Sequence, residues 1–127
     1  MPKKVILSKI ENNLNNPKPL NKRPDQDQIS SIVNSLNQSK FIKAIEDLNQ
    51  LILEFPDAAI LFNLKGATHK ALNENAEAAE NFEKAVIIDP NYAEAFCNLG
   101  IVQKKLGKTS QSIKSYKKAL DINPVYP

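Results

Sequence analysis

Three prolines set the frame of this chain: Pro56, Pro90 and Pro124 stand 34 residues apart, and each closes an apolar run. Proline cannot continue a helix, because it lacks the amide donor and its ring crowds the preceding turn. A fixed interval between such stops therefore divides a chain into equal units. Placing Pro90 over Pro124 aligns residues 59–92 with residues 93–126. Phe62 then faces Phe96, Gly66 faces Gly100, Leu72 faces Leu106, Phe82 faces Tyr116, Ala85 faces Ala119 and Ile88 faces Ile122. The stretch 25–58 keeps Ala44, Leu48, Leu51 and Pro56 in register, but has Gln28 and Ile32 where the later units have an aromatic ring and a glycine.

Each unit reads as two helices. Along the second, Ala78, Phe82, Ala85 and Ile88 recur at spacings of four, three and three, the apolar stripe of a helix with one buried face. Ser112, Tyr116, Ala119 and Ile122 repeat that stripe one unit later. Gly66 and Gly100 fall inside helical pattern, where glycine costs about 1 kcal/mol relative to alanine, so a close helix–helix approach is the expected compensation. Ala44, Ala78 and Ser112 share one position in the second helices and are the expected small partners at that approach. Asn73 and Gly107 coincide at the end of the first helix, where a left-handed residue terminates the turn.

The large residue, the glycine, and the alanine, aromatic and proline at these offsets resemble the tetratricopeptide repeat (TPR). The resemblance is specific over 59–126 and covers 25–58 through fewer positions, as befits a terminal repeat with a single neighbour. It implies an all-α, right-handed α-solenoid of three helix-turn-helix repeats, 25–58, 59–92 and 93–126, within a domain spanning 25–127. Residues 1–24 form a basic N-terminal arm. Its segment NNLNNPKPLNKRP (12–24) reads as a linker, while Ile6, Leu7, Ile10 and Leu14 have the spacing of a short helix. The residues expected to pack the repeats are Phe62, Gly66, Ala78, Phe82, Ala85, Phe96, Gly100, Tyr116 and Ala119.

Charge is uneven along the chain. Residues 1–24 carry +5, residues 25–92 carry −6 and the remainder +4, which sum to the net +3. That total is too small to argue for nucleic acid, and the lysine-rich end lacks the interleaved aromatics of a single-strand binder. The single cysteine, Cys97, makes no internal disulfide, and no apolar run has the length of a signal or membrane-spanning segment, so a cytoplasmic protein is expected. One histidine and one cysteine, His69 and Cys97, are too few for a zinc site, and neither phosphate-cradling glycine motif occurs. No metal, no cofactor and no catalysis are expected. His69 and Cys97 are read as packing and groove residues in preference to a base and nucleophile, because the repeat assigns them to different faces.

What remains is a surface. In proteins of this family the first helices line a concave groove that takes a peptide, which places Asn63, Lys70, Glu94, Asn98, Ile101 and Lys105 in the expected site. Asn98 occupies the position at which many such proteins hydrogen-bond the ligand backbone, and an asparagine in the sequence NLG can equally serve helix packing. Ile29 and Val33 stand where chaperone-binding members place clamp residues for a terminal carboxylate, so no such clamp is expected. The stretches NYAEAFCNLG and SIKSYKKALDINP resemble the N-terminal arrays that precede a catalytic domain in large bacterial multidomain proteins. The leading expectation is thus a protein-binding scaffold, and the second is a homo-oligomer. Pro127 follows the third repeat at once and leaves the faces of Tyr116, Leu120 and Ile122 partly unpaired, so either more repeats follow in a longer protein or this end meets another copy, with these three residues as the expected oligomer interface.

Overall fold

The computed structural model describes residues 23–125. Within them lie six helices and no strand: α1 (Gln26–Asn37), α2 (Phe41–Glu54), α3 (Ala59–Ala71), α4 (Asn75–Ile88), α5 (Ala93–Lys105) and α6 (Thr109–Ile122). The second helices begin at 41, 75 and 109, and α3 and α5 begin at 59 and 93, so the 34-residue ruler holds to the residue. Each helix packs on its chain neighbours, and α3 additionally touches α5. The expected basic arm lies outside the described residues, apart from Arg23 and Pro24.

Every first helix ends in the same way. The amides of Lys40, Glu74 and Lys108 donate to the carbonyls of Ser35, His69 and Gln103, each at 2.8 Å. The residue before each donor has positive φ: Ser39 at 58°, Asn73 at 61° and Gly107 at 78°. This six-to-one closure needs a left-handed residue, which glycine and asparagine adopt readily and serine less so. Ser39 therefore places the first unit in the same turn geometry, although its side chain announces it least.

The core forms two clusters along the array. Ile32, Leu48, Phe55, Ala58 and Leu61 join the first unit to the second. Ala78, Ala79, Phe82, Leu99 and Val102 join the second to the third. The glycines do meet a close neighbour, but it is not the expected small residue. A Cβ on Gly66 would stand 2.6 Å from the ring of Phe82, and one on Gly100 would stand 3.0 Å from the ring of Tyr116. The helical glycine is therefore a slot for an aromatic ring from the next helix. Ser112 meets the glycine differently, its hydroxyl donating to the Gly100 carbonyl at 2.8 Å.

This slot explains why the first unit departs from the pattern. Where later units pair glycine with a ring, the first pairs Ile32 with Leu48, and both are fully buried. An isoleucine fills the volume that a ring would take, and the facing leucine leaves it room.

Candidate functional site

The first helices α1, α3 and α5 share one register, so residues 34 apart occupy equivalent positions on successive helices. On α5, Asn98, Ile101 and Lys105 are spaced three and four apart and fall on one face. Asn98 and Ile101 are half-buried, while Glu94 and Lys105 are exposed. Lys70 of α3 is half-buried and near enough to α5 to act electrostatically on Cys97. Val33, Ala67 and Ile101 form an apolar row across the three helices, with Val33 exposed and the other two half-buried.

Asn63 departs from the expectation that it lines an open groove. It is only 4% exposed and spends its amide inside the array. The Asn63 Nδ2 donates to the hydroxyl of Tyr92 at 3.2 Å, and its Oδ1 accepts from Asn98 Nδ2 at 3.1 Å. Buried amides require such partners, because an unsatisfied one costs about 1–3 kcal/mol. Asn63 thus lies beneath the surface and orients Asn98 above it, tying α3 to α5. Tyr92, just before α5, was not among the residues singled out from the sequence. Its signal was present, since Tyr126 repeats it at the same position one unit later.

A second polar pair, also outside the expectations, joins α5 to α6. The Ser115 hydroxyl donates to Gln103 Oε1 at 2.6 Å, with both residues buried. His69, which shares the register of Gln103, points its Nδ1 to within 3.2 Å of Glu74 Oε1 across the turn. Cys97 is half-buried, and its thiol is pushed up chiefly by burial, with Lys70 opposing and Glu94 reinforcing the shift. Burial likewise raises the Tyr116 phenol, helped by Cys97 and opposed by Ser112.

The packing residues fall as follows. Gly66, Gly100, Ala78, Phe82, Ala85 and Ala119 are buried, and Phe62, Phe96 and Tyr116 are half-buried. Lys84 sits over the Phe62 ring, 5.9 Å from its centre. At the last helix, Leu120 is 46% exposed and Ile122 half-buried. Among the described residues no three His, Cys, Asp or Glu side chains come together as a metal site would need. No described helix is long and apolar enough to cross a membrane.

Comparison with known proteins bears on the repeats directly. Residues 66–107 match a TPR repeat family and residues 93–126 match the tetratricopeptide repeat family. No curated protein matches the chain. Among solved structures, MamA superposes with a TM-score of 0.72 at 22% identity, over 76% of this chain and 57% of its own. This chain thus spans little more than half of that relative. The Sgt2 TPR domain from Aspergillus fumigatus gives 0.76 at 22% identity, over 85% of this chain and 74% of that one. The first TPR of Spaghetti (RPAP3), bound to the HSP90 peptide SRMEEVD, gives 0.76 at 19% identity, over 85% and 87% of the two chains. Identities at this level speak for the fold alone. With repeat matches that together cover residues 66–126, six helices in 34-residue register and this shared architecture, the described residues adopt the all-α fold of a tetratricopeptide-repeat array.

Proposed function

We propose that the face built from α1, α3 and α5 captures a segment of another protein and performs no chemistry on it. The observation that carries this reading is the bonded series Tyr92–Asn63–Asn98, which holds one amide in fixed orientation at a half-buried position. Such an amide keeps donor and acceptor capacity for a ligand backbone, giving affinity with little demand on ligand sequence. The row Val33, Ala67 and Ile101 offers an apolar track, and Lys70, Lys104 and Lys105 set positive charge at its edge. The matching partner is a peptide with aliphatic and acidic side chains.

The peptide held by the RPAP3 domain supports peptide capture as the mode of binding for this fold. Ile29 and Val33 favour an internal segment over a terminal carboxylate, since neither supplies a donor to clamp one. The stretches NYAEAFCNLG and SIKSYKKALDINP support reading the array as the recruiting part of a larger bacterial protein. A cytoplasmic setting fits the single cysteine, Cys97.

Fluorescence anisotropy with a panel of acidic–aliphatic peptides and their charge-reversed counterparts tests the proposal. Lys105→Glu is expected to weaken capture of the acidic peptides roughly tenfold, equivalent to about 1.4 kcal/mol, while Leu120→Glu leaves it unchanged. Equal binding of both charge classes, or indifference to Lys105→Glu, removes the reading. Asn98→Ala also weakens binding, but it strips Asn63 of a buried partner, so its effect is read together with its melting temperature. A second reading, self-assembly through the repeat ends, is favoured by the exposure of Leu120 on α6.

A further inference from the structure

The array is electrically graded along its length. Residues 25–58 carry two lysines against six carboxylates, 59–92 three against five, and 93–126 six against two, giving −4, −2 and +4. The first unit is the acidic end of the described array, and α6 lies at the basic end.

The two ends differ in surface as well as in sign. Beside α1 and α2 an open cleft of about 500 Å³ is lined by Asp25, Asp27 and Asp47 together with Gln28, Ser31, Gln50, Ile32 and Leu51. On α6, Ile113 is 49% and Leu120 46% exposed, and the exposed Lys114, Lys117 and Lys118 stand among them. The counterparts of Ile113 and Leu120 one unit earlier are Ala79, buried, and Val86, half-buried. Ala79 and Val86 pack with Leu99 and Val102 of α5, so a face in this register receives the first helix of the next unit. The positions of α1 that correspond to Ala95, Leu99 and Val102 are Asp27, Ser31 and Asn34, and all three are exposed.

Pairing α6 with α6 of a second copy would set the three lysines against themselves, which costs free energy at short range. Pairing α6 with α1 brings lysines to carboxylates. It also brings the lysine stems and Leu120 to the half-buried Leu51 in the cleft lining. We propose that copies of this chain associate head to tail, with the basic face of α6 on one copy seated on the acidic cleft of α1 and α2 on the next. This deepens the self-assembly reading and continues the internal stacking across chains. The contact joins unlike surfaces, so it propagates into longer oligomers and does not stop at a dimer.

Sedimentation of the full chain over a range of concentrations, at about 0.02 M and about 0.5 M salt, is the test. The expected result is a mass that climbs with concentration past two copies at low salt and falls back to one copy at high salt. Asp27→Lys and Lys117→Glu each weaken association roughly tenfold, and mixing the two variants restores it, because the altered ends are again complementary. Both positions are exposed, and unchanged melting temperatures exclude unfolding as the cause. A discrete, salt-insensitive dimer lost with Leu120→Glu but kept with Asp27→Lys overturns the head-to-tail arrangement while leaving self-assembly through α6 standing. A single copy at every concentration in low salt overturns both, and leaves the acidic cleft to the basic residues 1–22 or to solvent.

Discussion

At the scale of single residues, the determining contact is a glycine with an aromatic ring. Gly66 and Phe82 are both buried, so an alanine at 66 has nowhere to push a ring that stands 2.6 Å from its Cβ. Overpacking of this kind costs about 1–3 kcal/mol, against about 1 kcal/mol gained in helix propensity. Gly66→Ala is therefore expected to lower stability by up to about 2 kcal/mol in urea unfolding, and Gly100→Ala to fall close to zero. The difference follows from the looser 3.0 Å contact and the half-buried ring of Tyr116, which has room to give. An equal loss at both sites would contradict this account. The thiol of Cys97 supplies a pH-dependent prediction. Burial favours its neutral form, so its thiolate appears only at higher pH than that of an unhindered thiol. Alkylation by iodoacetamide should be slow at neutral pH, with a rate midpoint above the ordinary thiol range. Glu94→Gln should move that midpoint down, since Glu94 adds to the upward shift.

At the scale of elements, helix boundaries are set by two devices. Asp25 and Gln28 form a capping box on α1, with Asp25 Oδ1 accepting from the Gln28 amide at 2.8 Å and Gln28 Oε1 accepting from the Asp25 amide at 2.9 Å. The other five helices begin without a side-chain cap. Their starts are held by the short turns themselves. In the three turns within repeats the left-handed residue is serine, asparagine and glycine in order along the chain. Ser39 carries the steric cost of that conformation, which Gly107 does not. Ser39→Gly should accordingly raise the melting temperature, by the equivalent of about 0.5–1 kcal/mol. No gain at Ser39 would mean that its side chain compensates locally. The turn at Ser39 was illegible in the sequence because serine is common in every kind of loop, whereas glycine and asparagine select this one.

At the scale of the whole molecule, the array behaves as a row of units, each stabilised by its neighbours. The second unit contributes to both core clusters, through Leu61 on one side and Ala78, Ala79 and Phe82 on the other. Native-state hydrogen exchange should thus find the amides of α3 and α4 opening last and those of α6 among the first, since the outer face of α6 leaves Ile113 and Leu120 exposed. Uniform protection across all six helices would refute this gradient. The amino-acid sequence by itself determined the period, the helix pairs, the glycine positions and the turns at Asn73 and Gly107. Those features are dictated by local dihedral preference and by the repetition of one apolar stripe, both of which are written in order along the chain. The tertiary structure alone decided that the glycines receive rings, that Ile32 and Leu48 replace that pair, and that Asn63 is buried beneath Asn98. Asn63 and Asn98 are 35 residues apart, and their bond exists only once α3 and α5 lie side by side at the spacing that packing imposes.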